Sequence, residues 1–456
     1  MLLRKWFDVC STTLLGATLA AGCTTQADHL DEGVGTTVAP LLAADADKIV
    51  PDQYIVMFKG DAGAEGVASV MAGIAFESAY SRVEHVYTVV PGFSARLSRE
   101  DLAAVRRNPA VAHVEHDQEV RIEPMVREQV DGQLANQLAD GPDYGVETIF
   151  PLPGGQPDGI DRVDQISLPR DSLYNDHGCS GADTQAYVID TGVRSTHNEL
   201  VGRVNTSRGF SAIADGNGTQ DCVGQGTFLA SIIAGTQFGM AKNAFVIPVR
   251  VINCSGSGTI AGIISGVDHV AKDCGPNEKC VASMAIGGGF SSALNSAVDN
   301  LVAGGVPVTV PVGSNGCSGS PASASLATGV LGVNDADCPT SGITGSCIDI
   351  YGPAVSILGA SARGDNATQT LSSTGAASAH VAGALVQGMS CGYTGTRTTS
   401  AVCVSPPGVK PLVFNDYGAE SCVGRCGVFD PLKPCQCDAA CTSFGDCCAD
   451  IVPACP

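Results

Sequence analysis

Asp190 closes the apolar run AYVID (186–190) and is followed by Thr191 and Gly192. An aspartate at the C-terminal end of a strand stands where open α/β sheets carry their sites; Asp before Thr-Gly is also a good turn former. In acyl transfer such an aspartate orients a histidine, which takes the proton of a serine as that serine attacks a carbonyl. Residues 371–383, LSSTGAASAHVAG, supply Ser372, Ser373, Ser378 and His380. Residues 224–235, GQGTFLASIIAG, supply Gln225. Glutamine donates and accepts hydrogen bonds but does not titrate, so it cannot act as a general base. Two glycine-rich stretches, SGSG (255–258) and AIGGG (285–289), permit close backbone approach, although such stretches are also ordinary loops in a chain with 56 glycines.

The elements that would position these residues follow from hydrophobic pattern. AYVID, NAFVIPVRVI (243–252), VASMAI (281–286) and VPVTVPV (306–312) are near-continuous apolar runs separated by helical segments and glycine-rich loops. That pattern predicts a parallel sheet covered on both faces over residues 156–415. Upstream, residues 49–121 alternate in a βαββαβ-like way. YIVMF (54–58) reads as a strand by its period of two, and residues 83–97 as two strands broken by Pro91-Gly92. Residues 99–109 read as a short helix with Asp101 near its N-terminus, and 111–120 as a last strand. Residues 122–155 are acidic and polar, end in Pro-Leu-Pro-Gly-Gly and read as an exposed linker.

Four separated motifs, GIDRVDQISLP (159–169), AYVIDTGV (186–193), VRVINCSGSGTIAGIISGVDHV (249–270) and ASMAIGGG (282–289), resemble the proteinase K-like branch of the subtilisin-like serine proteases. The resemblance covers roughly residues 156–392 and implies an α/β fold with a seven-stranded-type parallel subtilisin sheet flanked by helices. It implies further that Asp190 is the retained catalytic aspartate. Ser255, Gly256, Ser257 and Gly258, with Ala285, Ile286 and Gly287, would be the edges that take a peptide as an added strand. Residues 49–121, with the landmarks YIV, GFSARLS and VEHD, are similar to the inhibitory propeptide of that family, a small α+β, ferredoxin-like domain.

The same resemblance exposes substitutions. Gly375 stands at the nucleophilic serine of the family's LSGTSMASPHVAG stretch and Ala379 at its proline. Gln225 replaces the catalytic histidine and Phe228 a second histidine. Ser314 occupies the position of the oxyanion asparagine, with Asn315 one residue later, where a one-residue shift of register would bring it into use. Ser372, Ser373 and Ser378 differ in backbone position, and His177, His197, His269 and His380 read as structural or solvated. In subtilisin, where the loss has been measured, removing the serine or the histidine costs roughly a millionfold in turnover, which is about 8 kcal/mol of barrier. The expectation is an inactive protease homologue that binds peptide or protein. The alternative is an active serine endopeptidase. With no nucleophile to cut the chain, residues 24–121 should stay attached, with the propeptide tail competing for the cleft, unless another protease cuts the linker.

From Cys422 to Cys455 lie eight cysteines: Cys422, Cys426, Cys435, Cys437, Cys441, Cys447, Cys448 and Cys455. So short a segment cannot bury enough apolar surface unaided, so bridges must hold it, in any of 105 pairings. The spacing over 416–456 is similar to a somatomedin-B domain. That resemblance implies protein binding near the central cysteines, with Asp438 and Phe444 as candidates. A structural role, with the tail as the functional part and the body as spacer, is a further reading. Resemblance also pairs Cys222 with Cys254 and Cys317 with Cys347. It leaves Cys179, Cys274, Cys280, Cys338, Cys391 and Cys403 open, and places Asp335 near a calcium-binding position, so a structural calcium is the one cofactor to test.

The 456 residues carry 46 acidic and 25 basic side chains, a net charge of -21. That excludes nucleic acid and anionic membrane surfaces as expected partners. Twenty cysteines point to an oxidising compartment. Residues 1–23, with Arg4, Lys5 and an apolar stretch from Thr12 to Ala21, read as a signal peptide, and LAAGC ending at Cys23 also resembles a bacterial lipoprotein cleavage site. Residues 24–48 are a polar N-terminal segment. No other run is long and charge-free enough to span a bilayer. Sequons at Asn205, Asn217, Asn253 and Asn366 are compatible with secretion.

Overall fold

The structure, a computed structural model, describes residues 38–60, 67, 71, 74–122, 126–127, 158–164, 168–170, 174, 176, 179–393, 397–399 and 412–414. The signal-peptide and somatomedin-B readings, most of the linker, His177 and Cys403 lie outside these residues. Of the linker, Ile122, Val126 and Arg127 are described, and they are hydrogen-bonded to the body rather than free as an exposed linker would be.

The N-terminal module is built from β1 (Leu41–Leu42), β2 (Ile49–Phe58), β3 (Arg82–Tyr87), β4 (Gly92–Arg96), α1 (Arg99–Arg107) and β5 (Val111–Arg121). Its strands lie in the order β1-β5-β2-β4-β3, with β2 antiparallel to both β4 and β5. Helix α1 starts where Ser98 Oγ accepts the Asp101 N–H at 3.1 Å. The Asp101 carboxylate in turn accepts the Glu77 and Ser78 N–H groups and the Ser81 and Ser98 hydroxyls.

Burial over Tyr54–Phe58 does not alternate as a half-exposed strand would; all five residues are buried. Tyr54, Val56 and Phe58 fill the module's own core with Phe93, Leu97 and Val105. Ile55 and Met57, on the opposite face, join Tyr87, Val90 and Val120 in the core of the following domain, against Ile260, Ile263 and Ile264. Two apolar faces on one strand mean that the module is made to be covered. Each large side chain so buried contributes on the order of 1.5–3 kcal/mol.

The body begins with α2 (Asp158–Val163) and continues through β7 (Thr184–Asp190), β8 (Phe210–Ser211), α3 (Gln225–Ala234), β9 (Phe245–Arg250), β10 (Ser257–Thr259), α4 (Ile260–Asp273) and β11 (Lys279–Ser283). There follow α5 (Ser292–Ala303), β12 (Val308–Pro311), β13 (Thr328–Val333), β14 (Ile350–Pro353), β15 (Ile357–Ala360), β16 (Thr368–Ser372), α6 (Thr374–Ser390), β17 (Arg397–Thr399) and β18 (Leu412–Phe414). A two-residue strand, β6 (Val126–Arg127), precedes them.

The main sheet runs β17-β18-β14-β13-β12-β11-β7-β9-β8. The seven strands from β14 to β8 are all parallel; β18 adds a further parallel strand and β17 an antiparallel one, so the expected seven-stranded sheet is extended to nine at one edge. Strand order reverses beside β7, which has β9 on one side and β11 on the other. The carboxyl ends of strands at such a switch are where an open α/β sheet binds ligands. Tyr187 and Ile189 face the α4–α5 layer, and Ala186 and Val188 face the α3–α6 layer. Helix α6 is buried on every side, which its run of alanines and glycines permits.

The structure bonds Cys222 to Cys254 and Cys317 to Cys347. It also bonds Cys179 to Cys391 across 212 residues and Cys274 to Cys280, and Cys338 is disulfide-bonded as well. Among the described residues no helix is long and apolar enough to cross a membrane.

Candidate active site

Asp190, at the end of β7, is fully buried. Its Oδ1 accepts the Thr191 N–H at 2.7 Å and its Oδ2 accepts Gln225 Nε2 at 2.9 Å. The same Nε2 donates its other hydrogen to the Ala285 carbonyl at 2.8 Å. Gln225 is the first residue of α3, and the turn before it needs glycine: Gly224 has φ +110°. A side chain at Gly226 would run into the Gly192 carbonyl oxygen, so the GQG spacing lets α3 close on the end of β7.

Burial pushes the Asp190 carboxyl up to about 7, helped by the nearby Asp221 carboxylate and opposed by the hydrogen bonds from Thr191 and Gln225. Asp221, which no sequence motif singles out, braces this corner. Its carboxylate accepts the N–H groups of Val223, Gly224 and Thr227 and the Thr227 hydroxyl.

Gly375 lies in the first turn of α6, where Ser373 caps the helix by accepting the Ala376 N–H at 3.1 Å. A Cβ placed on Gly375 would meet the Ala285 Cβ at 3.2 Å and the Ser373 Oγ at 3.5 Å. Asp190, Gln225, Ala285 and Gly375 therefore form one cluster. The neighbouring hydroxyls are engaged elsewhere or turned inward: Ser372 Oγ accepts the Ser356 N–H, Ser373 is the cap, and Ser378 is fully buried. Phe228 is buried in the α3–α6 core.

The three histidines of the body that are described are engaged elsewhere. His380 is fully buried with Nδ1 on the Ala376 carbonyl, and burial lowers it to about 4. His197 bonds the Ala367 carbonyl and the Glu199 N–H, and His269 the Arg208 carbonyl. Ser314 is exposed, while Asn315 gives its side-chain amide to the Gly288 carbonyl at 2.9 Å.

Of the two glycine-rich edges, the first is paired with the chain's own β5. β10 pairs antiparallel with β5 in the register Ser257↔Arg121, Gly258↔Val120 and Thr259↔Glu119. The Ile122 N–H continues the ladder to the Gly256 carbonyl at 3.1 Å. Ser255 sits in the turn before β10, its N–H held by Asn253 Oδ1. Of the second edge, Ala285 carries the Gln225 bond, Ile286 is buried in the core and Gly287 is exposed. Gly288 lies under Val120, so close that a Cβ there would stand 3.0 Å from the valine Cγ2.

The contacts that seat the module were missed in the sequence. Glu115 accepts the Ser291 and Ser292 hydroxyls, each at 2.6 Å, and the Ala293 N–H at 2.9 Å, at the start of α5. Asp117 Oδ1 accepts the Ala261 N–H at the start of α4. Negative side chains at helix N-termini meet unpaired N–H groups and the positive end of the helix dipole. Burial still drives Asp117 up to about 6 against the hydrogen bonds that its Oδ1 accepts from the Ala261 and Gln118 N–H groups. Asp268 takes the Thr88 and Val89 N–H groups in return. The available signal was the spacing of Glu115, Asp117 and Glu119, which puts three carboxylates on one face of a strand.

Asp335 does not fit a calcium site. Its side chain is 58% exposed and faces the Arg170 guanidinium at 3.4 Å, while the nearby Asp337 is buried in an ion pair with Arg162. Among the described residues the one cluster with metal-ligand spacing is Cys274, Glu278 and Cys280, and its two sulfurs are bonded to each other.

The site is thus a buried aspartate at the switch point of a parallel sheet, beside an edge, β10, that accepts an extended strand. Comparison with known proteins gives this scaffold its family. Residues 183–405 match the Subtilase family, residues 53–123 Peptidase inhibitor I9 and residues 420–456 the Somatomedin B domain. The chain is 33% identical to an extracellular serine proteinase of Thermus sp. (strain Rt41A) over 81% of its own length and 87% of the relative's. It is 34% identical to Proteinase R of Parengyodontium album, over 80% and 85%. A solved structure of a cold adapted subtilisin-like serine proteinase matches with a TM-score of 0.51 and 35% identity, covering 57% of this chain and 98% of that one. The chain belongs to the subtilase family, with an inhibitor-type propeptide before the body and a somatomedin-B domain after it.

Proposed function

We propose that this chain is a secreted pseudoprotease: a subtilase body that binds peptide or protein through its cleft without cutting it, and whose somatomedin-B tail contacts another protein. One observation carries the reading. The neutral amide of Gln225 gives both hydrogens away, to Asp190 and Ala285, beside a Gly375 that offers no atom to attack with. A general base must accept a proton, and an amide nitrogen so engaged cannot. Ser314 stands at the position of the family's oxyanion asparagine, and Asn315 beside it gives its amide to the Gly288 carbonyl. The Thermus relative is named an extracellular serine proteinase, and the cysteine content of this chain agrees with export. In the tail, Asp438 and Phe444 are the candidate contacts.

The test sets this against hydrolysis, the activity in the names of the relatives. The wild-type chain and a Gly375→Ser, Gln225→His double variant, both from a protease-free host, are exposed to a fluorophosphonate probe and weighed by intact mass spectrometry. The expected result is an unlabelled, single wild-type chain, with labelling and self-cleavage between Ile122 and Val126 only in the variant. Labelling of the wild type overturns the proposal; if it is lost when Ser372, Ser373 and Ser378 are changed to alanine the nucleophile is one of these, and if it persists the nucleophile lies elsewhere.

A further inference from the structure

The disulfide Cys222–Cys254 joins two exposed cysteines, whereas each of the bridges Cys179–Cys391, Cys274–Cys280 and Cys317–Cys347 has at least one cysteine buried or half-buried. Against it lies Arg250, the last residue of β9 and the register partner of Asp190, with its side chain fully buried. Arg250 Nη2 stands 3.5 Å from Cys222 Sγ and 3.4 Å from Cys254 Sγ. Asn217 Nδ2 is also 3.4 Å from Cys254 Sγ. The counter-charge is Asp215, whose carboxylate accepts Nη1 and Nη2 of Arg250 and lies 3.8 Å from Cys254 Sγ. The bridge ties together two parts of the cleft. Cys254 is in the turn before β10, where Asn253 Oδ1 holds the Ser255 and Ser257 N–H groups. Cys222 follows Asp221, whose carboxylate braces the start of α3 and hence Gln225.

We infer that Cys222–Cys254 is a redox-active bond, opened by a small dithiol, and that it sets how firmly the strand edge β10 is held. Thiol attack on a disulfide is fastest where the sulfurs are accessible and the leaving thiolate is stabilised. Both conditions meet here, because a guanidinium faces whichever sulfur leaves. One thiolate of the dithiol attacks a cysteine sulfur. A new S–S bond forms as the old one breaks, and the other cysteine leaves as a thiolate. The second sulfur of the dithiol, having given its proton to solvent, then attacks the first and expels the remaining cysteine. Two electrons pass to the chain, the dithiol closes to a cyclic disulfide, and its two protons pass through solvent to the two cysteines. The bridge spans 32 residues of sequence, so opening it lets the turn before β10 move independently of α3. Neither Gly375 nor Gln225 takes part, so the inference is separate from the inactive reading above.

The test treats the full chain with dithiothreitol for increasing times, blocks the new thiols with iodoacetamide and maps them by peptide mass spectrometry. Cys222 and Cys254 should be blocked about tenfold sooner than Cys317 and Cys347 of the same molecules, a ratio from which general unfolding cancels. Asp215 is exposed, and Asp215→Asn leaves the guanidinium to the sulfurs alone. That variant should widen the ratio by about threefold. A Cys222→Ser, Cys254→Ser double variant supplies the permanently open chain. Amide hydrogen exchange over residues 255–259 should be about tenfold faster in it than in the bridged chain, with exchange in α5 unchanged. The inference is overturned by any one of three results: a bridge that opens no sooner than Cys317–Cys347, a ratio that Asp215→Asn leaves the same or lowers, or equal exchange over 255–259 in the two chains.

Discussion

Gln225 and Asp190 are joined at 2.9 Å in a fully buried corner where the glutamine brings a hydrogen but no charge. A histidine at the same place could become an imidazolium and compensate the carboxylate. A glutamine cannot, and burial lifts the Asp190 carboxyl to about 7.

The stability of the body should therefore carry a specific pH signature. A carboxyl whose folded value is raised contributes stability that is fully present below its unfolded value, near 4, and is lost as pH rises through 7. The measurement is urea unfolding of wild type and Gln225→His at half-unit steps from pH 4 to 8. The wild type should lose stability relative to the variant with a slope of up to about 1.4 kcal/mol per pH unit in that window. A difference that stays flat with pH would show that the missing counter-charge does not destabilise the Asp190 carboxylate.

Asp117 obeys the same sign at the seam between module and body. Burial raises it to about 6, and its Oδ2 has no hydrogen-bond partner. Its favourable contribution to docking is present below its free value near 4 and is lost as pH climbs through 6. Glu115 has the opposite sign. Burial opposes its charge, but hydrogen bonds from His113, Ser291, Ser292 and Ala293 outweigh that and lower it, so its contribution is lost as pH falls. Because other groups titrate too, the readout is a ratio of release rates between Asp117→Asn and wild type, measured on chains immobilised through the C-terminus and cut at a specific protease site placed within 128–155, the linker-cut chain. Wild type should hold its module more firmly relative to the variant at pH 4 than at pH 7, by up to about tenfold for each pH unit that separates the free and docked carboxyl. A ratio independent of pH would refute the assignment.

Much of this was legible in the sequence because it depends on pattern. The apolar runs announced a doubly covered sheet, and Asp190 announced the site because it ends the central one. Gly375 and Gln225 were legible because a missing hydroxyl or imidazole needs no geometry to be noticed. What escaped depends on neighbours far along the chain. Nothing local in VEHDQEV says that Glu115 and Asp117 will meet the first turns of α5 and α4, some 145 to 180 residues later. YIVMF suggested a strand with one wet face, and only the docked body explains why Ile55 and Met57 are dry. β6 has two residues, too few for any periodicity, and exists because β16 offers an open edge.

The contact between Gly288 and Val120 offers a test of the β10 side that does not touch Asp190 or Gln225. A methyl group added at Gly288 would lie 3.0 Å from Val120 Cγ2, and Val120 is only 1% exposed among Ile260 and its neighbours. The backbone of Gly288 has no positive φ to forbid alanine, so the collision itself is what Gly288→Ala measures. Overpacking of this kind costs about 1–3 kcal/mol, which should appear as faster release of the linker-cut module. Val120→Ala alone should also weaken docking, since it removes about two buried methyl-sized groups at roughly 0.8 kcal/mol each. Combined, the two changes should cost less than their sum, because the smaller side chain makes room for the new methyl, and neighbours in contact are where additivity fails. Strict additivity in that cycle would mean that Val120 does not rest on Gly288 when the module is docked, and the β10 register would have to be redrawn.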